Sequence, residues 1–385
     1  MPVSRQAVAH KEFDLLVRTG LGVEPIAPAL ARLLRELIGA EGCFIGWFDE
    51  MGTPAGFFHD SAPVSAREVF IRNPALFRGP DEFTMLSMAR RRGLAVGGLL
   101  HPSRAFFKSN TFNLLMKPCQ HHHGLDLRIE VNAAIRMAVG LFRNEAQPFF
   151  ENDVYRLSAL VPALKQALMK SIGTANLVGH DHALMSTNVT PSEITDLSDT
   201  GLMLLSSDCE RISMIDEQAT VLCRLAGVFD YGASLIKPMT TPPQFVRQLC
   251  RQLLSGEASN TCIQLAVVGG VLVVTATWLN SVASCNVQST LGEGEPPTNN
   301  SILVTISYQK PAAIDVVRHI SQLGLSPLQS RIAMFAAVGG SRMECAAHHQ
   351  VSKEALKKHL REIYAAARCA DWHDLRRTLS LGQSG

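Results

Sequence analysis

Residues 326–360 read SPLQSRIAMFAAVGGSRMECAAHHQVSKEALKKHL, and three helix starts are written into them as capping chemistry. Ser326 stands at a cap position, Pro327 at the first helical position and Gln329 at the third, the pattern in which cap and third residue satisfy each other's backbone N–H. This predicts a helix from Pro327 to about Val338, stopped by Gly339-Gly340. Ser341 and Glu344 repeat the box and open a short helix to about His348, and Ser352 caps a third helix from Lys353 to about Ala367. On that third helix Leu356, Leu360, Ile363, Tyr364 and Ala367 fall on one apolar stripe. Lys353, Lys357 and Arg361 recur every four residues on another face, with Lys358 beside them.

A short helix, a tight connection and a longer basic helix is the arrangement that lays a recognition helix into a DNA major groove. Leu325-Ser326-Pro327, Arg331-Ile332-Ala333, the Gly339 turn, Glu344 to Ala347, Val351-Ser352 and Leu356 to Leu360 resemble the LuxR-type helix-turn-helix. Ile363-Tyr364 and Trp372, Asp374 and Leu375 extend the likeness into a fourth helix. The resemblance covers about sixty residues. It implies that Lys353, Lys357, Lys358, His359 and Arg361 meet double-stranded DNA. Two departures stand out: His349-Gln350 occupies the place of the family's Leu-Gly pair, and Cys345 replaces an aliphatic residue.

Charge agrees with this placement. Residues 311–385 hold ten Lys/Arg against six Asp/Glu, while the rest of the chain is slightly acidic, for a net +2 overall. A basic tail on an acidic body suits a polyanion-binding module joined to something else. At 385 residues and 46% hydrophobic the chain can fill more than one core, so two or three domains are expected.

Working towards the N-terminus, Ser301–Tyr308 reads as a strand, preceded by the Gly-, Pro- and Asn-dense loop 288–300. The apolar run Ile263–Leu279 holds Gly269-Gly270 at its centre, and it reads as two strands around a two-residue Gly-Gly turn and not as a membrane span. Gly201–Leu205, Ile212–Ile215 and a helix from Glu217 to Ala226 complete a unit over residues 197–310 that resembles a PAS-like α+β domain. Residues 171–196 read as a linker.

Before it come a helix Glu24–Ile38, strands Cys43–Asp49 and Ala55–His59, a hairpin Leu127–Val131 and Ile135–Arg143 closed at Asn132-Ala133, and a helix Glu151–Met169. That helix carries Val154, Leu157, Leu160, Val161, Leu164 and Leu168 as its buried stripe. The order resembles a GAF-type sensor domain over residues 10–170. The expected fold is therefore multidomain: two α+β sensor domains, GAF-like and PAS-like, followed at 311–382 by an all-α four-helix helix-turn-helix domain.

Catalytic motifs are missing. No GxxxxGK[ST] loop occurs, and no nucleophile, base and orienting group can be assembled, so no enzyme activity and no cofactor are expected. Nine cysteines without CxxC spacing, and no signal segment, point to a reducing, cytoplasmic setting. Cys119-Gln120-His121-His122-His123 does offer thiolate and imidazole donors. Adjacent histidines diverge on a strand, however, and no second pair stands at a recognised spacing. A polar loop is expected, with Cys119, His121 and His123 the candidate ligands if a metal binds. The reading is a sequence-specific DNA-binding transcription regulator, expected as a homodimer, whose first two domains sense a small molecule or dimerise. The alternatives are a protein adaptor with a degenerate helix-turn-helix and a metal- or redox-responsive regulator.

Overall fold

A computed structural model describes residues 4–90, 96–175, 200–226, 239–255, 260–279 and 301–381. The protein is mixed α and β, with two antiparallel sheets and a helical C-terminal region. Its contacts divide it into two compact units, one made of residues 1–183 together with 310–385 and the other of residues 184–309. Among the described residues no helix is long and apolar enough to cross a membrane.

The first unit opens with α1 (Arg5–Val17) and α2 (Val23–Ile38). Strands β1 (Gly42–Phe48) and β2 (Pro54–His59) form a hairpin, and β3 (His123–Val131) and β4 (Ala134–Arg143) form a second. The sheet order is β2-β1-β4-β3. Asn132 and Ala133 both take positive φ, 53° and 62°, which gives the two-residue turn its hand. Between the hairpins the chain passes through α3 (Val64–Arg72), α4 (Met85–Met88) and several single helical turns. Glu82 anchors this excursion: its carboxylate accepts the backbone N–H of Asn110 at 2.9 Å and of Thr111 at 2.6 Å. The unit continues with α5 (Glu151–Ser158) and α6 (Val161–Ala175).

The single helix expected over residues 151–169 is therefore two. Pro162 has no N–H to give the carbonyl of Ser158, and its ring excludes a continuous helix there. Leu157, Leu160, Leu164 and Leu168 of the expected stripe are buried, while Val154 and Val161 are half-buried. The expected linker start also moves, because α6 runs on to Ala175; residues 176–199 lie outside the described residues, as does the loop 288–300. Arg143 ties the end of the sheet to both helix layers. It donates to the carbonyls of Gly39 at 2.7 Å and Ile38 at 2.8 Å, pairs with Asp153 at 3.2 Å, and stacks 4.1 Å from the Phe149 ring.

The second unit holds β5 (Thr200–Leu205), β6 (Ile212–Ile215), α7 (Glu217–Leu225), α8 (Gln244–Leu254), β7 (Asn260–Val267), β8 (Gly270–Leu279) and β9 (Ser301–Gln309). The sheet order is β6-β5-β9-β8-β7. Pairing of Val267 with Gly270 places the β7–β8 turn at Val268-Gly269, one residue before the expected Gly-Gly pair. Gly269 supplies the positive φ of 78°. Gly270 serves packing instead: a Cβ there would come within 2.6 Å of the Tyr308 ring and 2.7 Å of the Gln309 carbonyl.

Returning to the first unit, α9 (Ala312–Gln322) packs on α1, followed by α10 (Pro327–Ala337), α11 (Arg342–His348), α12 (Lys353–Ala367) and α13 (Trp372–Leu381). Lys11 of α1 donates to the Leu325 carbonyl, and Arg318 of α9 stands 4.0 Å from Glu12. Ser326, Ser341 and Ser352 cap their helices by accepting the N–H groups of Gln329, Glu344 and Ala355 at 3.3, 3.2 and 3.1 Å. The Gln329 and Glu344 side chains reach back to the cap N–H groups at 2.8 and 3.1 Å.

Candidate functional site

Two places in the first unit gather side chains suited to binding. The first is the outer face of α12. Leu356, Leu360, Ile363 and Ala367 bury one side of this helix, so Lys353, Lys357, Lys358 and Arg361 lie exposed on the other. Lys353, Lys357 and Arg361 are four apart and share a face, with Lys358 flanking them. His359 is set apart from this group. It is half-buried, and its Nδ1 is enclosed with no hydrogen-bond partner among the described residues.

The tight connection before α12 shows how the two departures are accommodated. Gln350 takes φ 54°, the left-handed conformation that glycine adopts most easily. The Val351 N–H bonds the Ala346 carbonyl at 3.0 Å, closing α11. His349 packs edge-on to Phe335 at 5.7 Å between centroids, and Cys345 is fully buried as a small apolar residue. Burial and the neighbouring His348 hold the His349 imidazole below its usual pKa.

The second place is a cavity of about 90 Å³ between the sheet and the excursion over residues 62–121. Phe44, Phe57, Phe70, Phe83 and Phe142 supply aromatic walls, and Met85, Met88 and Met116 add flexible apolar ones. Into this apolar space project Arg67, Asp126, His59, Cys119 and His121. Asp126 is almost wholly buried. Its Oδ1 accepts the Leu99 N–H at 2.8 Å, and Oδ2 has no hydrogen-bond partner among the described residues. Burial pushes its carboxyl up to about 6 despite that bond.

His59 closes β2, while Cys119 and His121 flank Gln120, whose φ of 59° turns the chain after a single helical turn. The rings of His59, His121 and Phe142 lie nearly parallel, with His121 4.8 Å and His59 5.5 Å from Phe142. His121 rests against the backbone of Gly42, where a Cβ would come within 2.4 Å of its Nε2. Burial lowers the His121 pKa to about 4; burial and neighbouring His121 and Arg67 lower that of His59 to about 3. Burial and the charge of Asp60 push the Cys119 thiol up to about 11, so it remains protonated and is a poor nucleophile at neutral pH.

The run Cys119–His123 is thus divided. Cys119 and His121 line the cavity, whereas His122 packs against Phe107 and Phe112, and His123 Nε2 lies 3.1 Å from the Glu145 carbonyl. The structure brings Cys119 and His121 to His59 and leaves His123 elsewhere. His59, Arg67 and Asp126 were absent from the sequence candidates. Asp126 interrupts the apolar series Leu125, Leu127 and Ile129 on the alternate face of β3, which reads as a solvent face until the excursion covers it.

No protein-family model matches the chain, and no curated protein matches it. Among solved structures it is similar to the sensor region of a sensor histidine kinase, with 11% identity over 48% of this chain and a TM-score of 0.18. The match spans 63% of that structure. A likeness of this size carries no argument about either site.

Proposed function

We propose that the chain is a DNA-binding transcription regulator of LuxR type, with α10–α13 as its helix-turn-helix module and α12 as the helix that enters the major groove. The observation that carries this reading is the exposed basic row Lys353, Lys357 and Arg361 on a helix whose opposite face is buried. Cations repeated at this spacing meet phosphates or base edges along a groove. The GAF-like part of the first unit is the sensor: its cavity takes a small molecule with an apolar body and a hydrogen-bond donor for Asp126. The PAS-like unit serves sensing or dimerisation, and the regulator acts in the cytoplasm as a homodimer without catalysing a reaction.

The test is binding of the full chain to duplex DNA across a salt series. Affinity falls steeply with salt, and Lys357→Ala lowers the slope by about one if Lys357 meets a phosphate, or relaxes sequence preference by about 1–3 kcal/mol if it meets a guanine. Unchanged binding by folded Lys353→Ala and Lys357→Ala variants, or binding without salt dependence, overturns the reading and favours a protein adaptor.

A further inference from the structure

We infer that His59, Cys119 and His121 form a three-ligand site for a thiophilic divalent ion of the zinc type, with the fourth coordination position facing the apolar cavity. One ligand atom from each residue lies within 4.8 Å of the others. A tetrahedral zinc with bonds of about 2.0–2.3 Å needs its donors roughly 3.3–3.8 Å apart, so loading draws the set together by about 1 Å. Three donors from two separate segments of chain converge here, and no pair at conventional motif spacing is involved. Two histidines, one cysteine and an open position match the composition of ion sites that keep a place for an exogenous ligand.

Ser61 Oγ stands 3.3 Å from His121 Nε2 and can hold that nitrogen while the other donates. His59 Nδ1 accepts the Ser61 N–H at 3.2 Å. Asp60 Oδ1, which accepts the Cys43 N–H at 2.9 Å, stands 3.8 Å from that nitrogen, so a His59 that held an ion through Nε2 and carried its proton on Nδ1 would have to turn from the Ser61 N–H toward this carboxylate. The turned ring would have the carboxylate–histidine–metal arrangement. Cys119 releases its thiol proton to solvent as the ion binds. Zinc plus thiolate leaves one positive charge beside Arg67, so the open position selects a water-derived hydroxide or an anionic donor. The inference does not depend on DNA binding and is tested without it.

The experiment is titration of cobalt(II) into chelator-stripped full chain, followed by displacement with zinc. The expected result is one equivalent of tetrahedral cobalt with a near-ultraviolet thiolate charge-transfer band. Cys119→Ser abolishes the band, His59→Ala and His121→Ala abolish stoichiometric uptake, and Asp60→Asn weakens it about 10- to 100-fold. His123→Ala leaves it unchanged. Circular-dichroism melts of the same variants verify folding, and Cys119→Ser, close in size to the native residue, keeps the test alive if the alanine variants unfold. No uptake by the wild type, a thiolate band that survives Cys119→Ser, or loss of the site in His123→Ala overturns the inference.

Discussion

The two α+β sheets share one plan and differ in what they enclose. In each, the first strand lies between its hairpin partner and the last strand of the sheet, as the orders β2-β1-β4-β3 and β6-β5-β9-β8-β7 show. The second unit fills the space over its sheet with Met203, Leu205, Leu222, Leu249, Leu272, Val274, Ile302, Val304 and their neighbours. Among the described residues, none of its buried side chains is polar or charged, apart from cysteines and the hydroxyl of Tyr308. The first unit buries Arg67, Glu82, His121, Asp126 and Asp153, and leaves a cavity. Burying ionisable groups costs stability unless each is paired. One sheet plan therefore backs a packed core in the second unit and walls a cavity lined with ionisable groups in the first.

This contrast can be broken most forcefully in the packed unit. Leu272 is fully buried, and Leu272→Ala should cost about 2–5 kcal/mol, because the rigid surroundings close the cavity only in part. Hydrogen exchange read by mass spectrometry should place the loss in residues 200–309. Loss confined to the first unit would show that the two cores are not separate.

The contrast can be sharpened by pH. The folded chain holds the Asp126 proton up to about pH 6, against about 4 for the unfolded chain. At Asp126 the folded state binds more protons between these values, so this group's contribution to stability falls as pH rises, by up to about 3 kcal/mol, and the charged carboxylate opposes folding fully above about pH 6. Urea unfolding of the wild type and Asp126→Asn between pH 4 and 6.5 should give first-unit pH dependences that differ by this slope, since the contributions of His59, His121 and Glu24 are common to both proteins. Identical pH dependence in the two proteins would show that Asp126 contributes none of it.

A smaller effect belongs to the α11–α12 connection. Gln350→Gly relieves a left-handed residue of its Cβ and should stabilise the first unit by up to about 1 kcal/mol, seen as a higher melting temperature. Lower stability would mean that the Gln350 side chain contributes contacts that outweigh the backbone cost.

The elements easiest to read in the sequence were those fixed within a few residues. The three serine caps and the Asn132-Ala133 turn depend on atoms one to four positions apart. Helix α1 gave no comparable signal, because it packs against both α2 and α9 and buries Ala9, Phe13, Leu15, Leu16 and Val17 around much of its circumference. A helix enclosed on several sides loses the single stripe that marks a surface helix. Pro162 was visible in the sequence, but the apolar spacing on either side of it suggested a continuous helix.

By itself the sequence determined where the C-terminal helices start, which face of α12 is apolar, and which strands pair as hairpins, since hydrogen bonds and side-chain periodicity along one segment decide all three. Only the tertiary structure decided that His59 meets Cys119 and His121 from sixty residues away, that Asp126 lies under a covering loop, and that α9 and α10 settle on α1. Those outcomes depend on how separate segments share one buried volume. No local pattern encodes that sharing, because the partners are chosen by close packing and by the exclusion of water.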